Sequence, residues 1–435
     1  MSKVWYLVVF IAAAALAVGA GLGLSYSGGY SPPPEVVSAI EEIELRPYEL
    51  APAPVLDDDR TGTLVVDTIH FNFFLEGELD PLLSQVSRLG YDIDFFGDRL
   101  ALQFLDDEFE RAALMEEALR GADSLLVVSP IQEYGASEAD VVRRFVDKGG
   151  KLLVLAEPTR FHLTNSLVTP LGINFETDFL YNVDIPGANY RNVRFSGSPL
   201  HPVTDGLGSV VLYTAASISG EAQPLLAGGP NTHSSRREGA GDLTPMVSVR
   251  DGRVLAIGDS TFMKPPFDQV EDNGAFIARI ADFLTTSERT FDLADFPAPL
   301  ARDVAVSMLS PGLLRPATQI TSLLTSGGRL ARLDTLDRPG LDTVFVGLFA
   351  DRAAVDQHLR AGGVTFADGR ILTASAPPVS QTNGGLLLLD SRGGRNVIVI
   401  MASSEREVDL LVRLLAAGAY RSGLVSPTLG LYDFS

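Results

Sequence analysis

The sequence predicts an α/β fold: a doubly wound, mainly parallel sheet, preceded by one membrane-spanning helix and followed by a smaller α+β part. Three observations predict it. Residues 124–159, SLLVVSPIQEYGASEADVVRRFVDKGGKLLVLAEPT, read as a buried strand, a polar loop, an amphipathic helix, a Gly-Gly stop and a second buried strand, which is one βαβ unit. Strand-like and helix-like segments go on alternating to about residue 286, as a doubly wound sheet requires. Near the amino terminus, Val4–Leu24 is an uncharged apolar run, and roughly 20 such residues cross a bilayer's hydrocarbon core as a helix.

The anchor, residues 1–25, comes first. Its apolar run exceeds the roughly 7–15 residues usual in a signal peptide, although Val18-Gly19-Ala20 also fits a cleavage site. Lys3 on the short side and an acidic chain on the other predict an inside amino terminus and an extracytoplasmic bulk. Residues 26–60 read as a stalk: SGGYSPPPE opens it, APAP interrupts it and Asp57-Asp58-Asp59 closes it, with a short helix over Glu35–Leu45. Proline stiffens such a segment and like charges extend it.

Residues 61–289 make the first folded domain. Strands are expected at Thr63–Ile69, Tyr91–Phe95, Leu125–Ser129, Leu152–Ala156, Arg191–Phe195, Val210–Tyr213, Gln223–Ala227, Met246–Val249 and Val254–Ile257. Helices are expected at Asp80–Leu89, Asp107–Arg120, Phe161–Leu171 and Asp272–Leu284. Acidic residues open the second of these, which suits its dipole, and Phe276, Ile280 and Phe283 form one stripe on the last. The helix of the βαβ unit starts at Ser137 with Asp140 as a capping box and stops at Gly149-Gly150. Gly228–Asp242 has almost no apolar content and reads as a mobile loop.

Residues 290–435 form the α+β part. Its expected strands are Val304–Leu309, Thr343–Leu348, Gly385–Leu389 and Asn396–Met401; its helices are Ala353–Leu359 and Glu405–Ala416. Asp368-Gly369 marks a tight turn between Val364–Phe366 and Ile371–Thr373. No chemical motif and no repeat of the first domain stands out.

Composition narrows the function. The 435 residues are 46% hydrophobic and 20% charged, enough for two or three globular domains. A net charge of −21 argues against nucleic-acid phosphates and anionic lipid as partners. Lysine occurs only at 3, 148, 151 and 264. The absence of cysteine excludes disulfides, thiolate metal sites, a cysteine nucleophile and a lipid-modified cysteine anchor.

The succession DSLLVVSP, EADVVRRFVDKGGKLLVLAEPT and VLAIGDSTFM…DNGAFIARIADFL resembles the class I glutamine amidotransferase-like domains of membrane-anchored bacterial and archaeal proteins. The same domain type occurs in auxiliary proteins of gliding-motility ABC transporters and in a subunit of intraflagellar transport. The resemblance spans about residues 63–286 and implies an amidotransferase-like, flavodoxin-like sheet, membrane tethering and an accessory role. Catalytic members use a cysteine on a sharp strand-to-helix turn and a late His-x-Glu pair. Here that turn reads Ser129-Pro130-Ile131-Gln132, and none of His70, His162, His201, His233 and His358 precedes a glutamate by two positions.

Strand-end loops are where open α/β sheets bind ligands, so Ser129, Gln132 and Glu133 in one loop and Asp259, Ser260 and Asn273 beyond the other are the candidate ligand-binding residues. Each has a structural alternative: Asp259 and Ser260 brace a turn, Glu133 is a solvated carboxylate, and Asn273 caps a helix. Ser137 lacks the final glycine of a nucleophile elbow, because Ala139 stands there. Glu157 with His162, and His201 with Asp205, are close in sequence without forming a metal signature. Arg236-Arg237 reads as solvated. No catalytic residue, metal or cofactor is expected. The expectation is a tethered, extracytoplasmic binding or scaffold module whose partners are other membrane or envelope proteins, such as a transporter. The alternative is a hydrolase or glycan-processing enzyme using the strand-end carboxylates and hydroxyls.

Overall fold

A computed structural model describes residues 3–25, 61–75, 77–97, 107–182, 190–238, 243–301, 303–334, 338 and 340–435. The expected stalk and its short helix lie outside the described residues. Lys3–Ser25 is one helix with no buried residue, long and apolar enough to cross a membrane.

Nine strands build the first sheet: β1 (Gly62–Asp67), β2 (Tyr91–Phe96), β3 (Ser124–Val128), β4 (Lys151–Leu155), β5 (Asn192–Gly197), β6 (Val210–Tyr213), β7 (Gln223–Ala227), β8 (Met246–Val249) and β9 (Val254–Ile257). Their order is β2-β1-β3-β4-β9-β8-β7-β5-β6. The first five are parallel and the remaining pairings antiparallel. The sheet is therefore mixed, where a mainly parallel one was expected. The antiparallel strands are short, and their alternation does not reveal strand direction.

The parallel strands are apolar on both faces because both faces are covered. Leu64, Val66, Leu126 and Leu153 enter one core with helices Asp80–Arg88 and Asn273–Leu284. Val65, Leu125, Val127 and Leu152 enter the other with helices Glu108–Leu119 and Ala136–Asp147. The period of two along each strand does this sorting.

The second sheet contains β10 (Asp303–Met308), β11 (Leu330–Asp334), β12 (Asp342–Leu348), β13 (Gly384–Asp390), β14 (Val397–Ala402), β15 (Leu424–Ser426) and β16 (Leu429–Asp433). Its order is β11-β10-β12-β14-β13-β16-β15. Three pairings are parallel and three antiparallel, so this half is mixed like the first. It also begins with the same winding, second strand outside first and third inside, although no repeat is visible in the residues. Helix Leu314–Ser326 and strand β11 escaped the sequence reading: LRPATQITSLLTS is rich in Thr and Ser, which favour helices weakly. Helix Glu405–Ala416 and the hairpin around Asp368-Gly369 stand where expected.

Three local expectations are corrected. The expected helix Phe161–Leu171 shrinks to Asn165–Val168 and a 3-10 turn, Thr169–Leu171. The helix of the βαβ unit begins at Ala136 with Gly135 at its N-cap, and Glu138, not Asp140, accepts from the Gly135 backbone N–H at 2.8 Å. Within the expected mobile loop, Thr232–Ser234 pairs with Leu180–Asn182, and Ser234 bonds to buried Asp178.

Candidate functional site

The winding reverses between β1 and β3, and the crevice beyond their carboxyl ends is the usual ligand position in such a sheet. Here the chain fills it. Asp67, the last residue of β1, is fully buried. Its Oδ2 accepts from His70 Nδ1 (2.9 Å), from Asn72 Nδ2 (2.9 Å) and from the Tyr134 hydroxyl. His70 donates its other ring nitrogen to Glu138 Oε1 at 3.1 Å. Arg111 closes the network with a two-pronged pair to Glu138, at 2.9 and 3.0 Å.

Electrostatics hold these groups charged. Burial opposes a charge on His70, but the Asp67 and Glu138 carboxylates outweigh it and lift the imidazole to about 9. Burial likewise opposes ionised Asp67 and Glu138, yet the His70 charge and hydrogen bonds keep both below the usual carboxylate range, with Arg111 adding to the second. The backbone seals the top. His70 O accepts from Ile131 N and Gln132 N (3.1 Å each), and Phe73 N donates to the Val128 and Ser129 carbonyls. Of this network, His70 stands out in the sequence only as lacking a glutamate partner, and Tyr134 only as a neighbour of Ser129, Gln132 and Glu133 in a strand-end loop. The real partners of His70 are 3 and 68 residues away, a separation no local pattern reveals.

The proposed ligand loops do not meet. Ser129 is fully buried at φ +44°, a strained left-handed position, and no hydrogen bond reaches its hydroxyl. No histidine serves it: His70 bonds two carboxylates, and His162 bonds Thr164 at 3.0 Å. Gln132 is half-buried and Glu133 exposed. Strand β4 lies between this loop and the one after β9. There Asp259 is fully buried; Oδ2 accepts from Tyr213 N (2.7 Å) and Oδ1 from Thr261 N (2.8 Å). Ser260 bonds Glu157 at 3.3 Å, and Glu157 also accepts from the Thr261 (2.9 Å) and Thr159 (2.7 Å) hydroxyls. Burial, and then the neighbouring Glu157 charge, push Asp259 well above the ordinary carboxylate range. Gly258 is obligatory, because a Cβ there would strike the Ala216 carbonyl.

Asn273 is not the expected helix cap, a position held by Asp272. Its amide instead pairs with both backbone groups of Val211, accepting at 2.9 Å and donating at 3.0 Å, as a neighbouring strand would. His201 Nδ1 accepts from Val203 N, and no side-chain pair with Asp205 forms among the described contacts. Arg236 and Arg237 are exposed.

Above the buried networks the rim is apolar. Phe73, Leu75, Ile131 and Phe161 are all exposed, Phe161 by 70%. Arg160 braces Phe73: its guanidinium lies 5.0 Å from that ring and donates two hydrogen bonds to the Glu78 carboxylate, at 2.9 and 2.6 Å. At the opposite, amino ends of the strands, a cleft of about 850 Å³ separates the two sheets, lined by Asp92, Asp123, Arg329, Asp342, Arg395 and Asn396 among others. Among the described residues, no group of three or more His, Asp or Glu converges as a metal site.

No family model and no curated protein matches the chain. Among solved structures, an IFT52 N-terminal domain aligns with 52% of this chain and all of that domain, at 17% identity and a TM-score of 0.40. A ThuA-like protein from Parabacteroides merdae ATCC 43184 aligns over 53% of this chain and 93% of its own, at 13% identity and a TM-score of 0.33. CpGH84D aligns over 31% of this chain and 20% of its own, at 11% identity and a TM-score of 0.22.

Proposed function

We propose that this chain is a membrane-tethered, extracytoplasmic binding or scaffold module without a catalytic centre, acting on other membrane or envelope proteins. The observation that carries this reading is the closed switch-point crevice. Asp67, His70, Asn72 and Tyr134 occupy the place of a ligand and are all buried, while the rim over them presents Phe73, Leu75, Ile131 and Phe161 to solvent. A rim of large exposed apolar groups suits contact with a protein more than recognition of a small polar substrate. The parallel strands run β2-β1-β3-β4-β9, which, counting β9 as the fifth parallel strand, is the flavodoxin-like order 2-1-3-4-5 and supports an amidotransferase-like sheet with a buried serine in place of the thiol.

Affinity capture from detergent-solubilised native membranes tests it, comparing the wild-type chain with Phe161→Asp and Phe73→Asp. Partners retained by the wild type and lost with the rim variants are expected. Recovery of the bait alone at every detergent strength would overturn the scaffold reading.

A second reading rests on the Glu157–Asp259 pair, a carboxyl group raised by burial beside a second carboxyl group, as acid–base hydrolysis uses. Turnover of a glycoside or ester by the purified chain, abolished by Asp259→Asn, would establish it.

A further inference from the structure

Each sheet has two edge strands, and an edge strand offers unpaired backbone groups to any chain that reaches it. Three of the four edges are guarded. Strand β6 is closed by side chains: Val211 N donates to Asn273 and Tyr213 N to Asp259, while Asp272 takes the N–H groups of Gly208 and Ser209 just before it. Strand β2 carries Asp92 and Asp94, both exposed, which would repel a second copy. Strand β15 shifts register between Leu424 and Ser426, breaking its ladder. Charges on an edge, bulges and covering groups are the devices by which sheets avoid edge-to-edge pairing.

Strand β11 has no bulge, and its charges are of both signs. Its register with β10 runs unbroken from Leu330 to Asp334, and Leu330 and Leu333 are 49% and 42% exposed. It contains no proline, glycine or lysine, and its sequence, LARLD, balances one arginine against one aspartate. In a chain of net charge −21, this edge flanked by Arg329 and Arg338 is a surface where two copies meet without strong repulsion.

We propose that two copies of this chain pair antiparallel through β11, joining their second sheets into one continuous sheet across a two-fold axis. A two-fold axis normal to a sheet keeps each residue on its own face, so one residue must sit opposite itself. Centring on Leu333 sets leucine against leucine and places Arg332 of each copy opposite Asp334 of the other. Centring on Arg332 would instead oppose two arginines. Opposite charges across antiparallel strands stabilise and like charges destabilise; the complementarity of Arg332 and Asp334 therefore selects both the register and the occupant. Asp334 already pairs with Arg338, and the second arginine adds to that pair.

The full chain in detergent micelles, followed by light scattering during size exclusion, provides the test. A mass of two chains is expected. Arg332→Asp, which leaves an exposed position and sets carboxylates in opposition, should weaken the dimer about tenfold or more, and Arg332→Asp with Asp334→Arg should restore it. Because the chain has no cysteine, Leu333→Cys gives a second readout that needs no other change. Residues opposite one another in an antiparallel pair lie within disulfide reach, so mild oxidation should link two copies, whereas Leu75→Cys on the far rim should not. A single-chain mass for the wild type would overturn the proposal. So would a dimer that Arg332→Asp leaves intact, or a Leu333→Cys chain that fails to cross-link.

Discussion

The imidazole of His70 and the ring of Tyr134 are stacked with centroids 3.6 Å apart, and both bond the same oxygen of Asp67. Sixty-four positions of sequence separate them, yet together they plug the crevice where the sheet reverses its winding. A charged imidazole between two carboxylates also makes that plug sensitive to pH.

The first expected outcome follows from the sign of that coupling. His70 is raised from 6.5 to about 9, so its contribution is complete below pH 6.5 and lost as pH climbs through 9. Asp67 and Glu138 are lowered, so theirs is present above the unfolded carboxylate range and lost on acidification through their folded values. Stability measured by urea unfolding should therefore be greatest near pH 5–6 and fall by up to about 3 kcal/mol towards pH 9. His70→Gln should flatten the alkaline slope.

Removing one member of the network is more damaging than titrating it. Glu138→Ala leaves Arg111 and His70 facing each other inside the core without a carboxylate between them. A loss of roughly 3–5 kcal/mol is expected, as for other broken buried pairs, read from the shift of the denaturation midpoint.

Asp259 offers the opposite case. Burial raises Asp259 well above its ordinary range; Asp259→Asn keeps one acceptor but turns an N–H group towards Tyr213 N or Thr261 N, so a cost of about 1–2 kcal/mol at pH 7 is expected. Asp259→Ala leaves Tyr213 N and Thr261 N without their acceptors and should cost roughly 2–4 kcal/mol. The same unfolding titration separates the two. Equal losses would mean that the acceptor kept by Asn contributes nothing.

Asn273 guards an edge. Asn273→Ala removes its bonds to Val211 and to the Phe267 carbonyl, so a lower melting temperature and a cost of about 2–3 kcal/mol are expected. Light scattering on warming should also rise, since β6 would then be open to other strands.

Arg289 lies where the two halves meet, its guanidinium 3.7 Å from Asp295. It is held between the rings of Phe145 and Phe291 and donates to the Leu119 and Ala122 carbonyls. A few residues on, Ala294 O accepts from Tyr420 and Arg421 at 2.9 Å each. Arg289→Ala should uncouple the sheets, seen in calorimetry as one unfolding transition splitting into two.

Much of the fold was legible because it is local. Runs such as LLVV and KLLVL announce strands covered on both faces, and Gly149-Gly150 and Gly258 mark where the chain must turn or approach closely. Helix Leu314–Ser326 was missed because its Thr-rich face has little propensity of its own and is stabilised by packing Ile320 and Leu324 into the second core. Asp259, Ser260 and Asn273 stand where the sequence suggested, beyond a strand end, and the contacts they make there are to Tyr213, Glu157 and Val211.

What the residues alone determined is the apolar leading helix, the α/β alternation, the acidic surface and the want of a thiol, since each depends on composition or on periods of two and 3.6 along the chain. What only the tertiary structure decided is whom each polar group faces. Asp67 meets Tyr134 across 67 positions and Glu157 meets Thr261 across 104. A buried charge is tolerated only where distant segments supply its partners, and that supply is set by how the sheet winds.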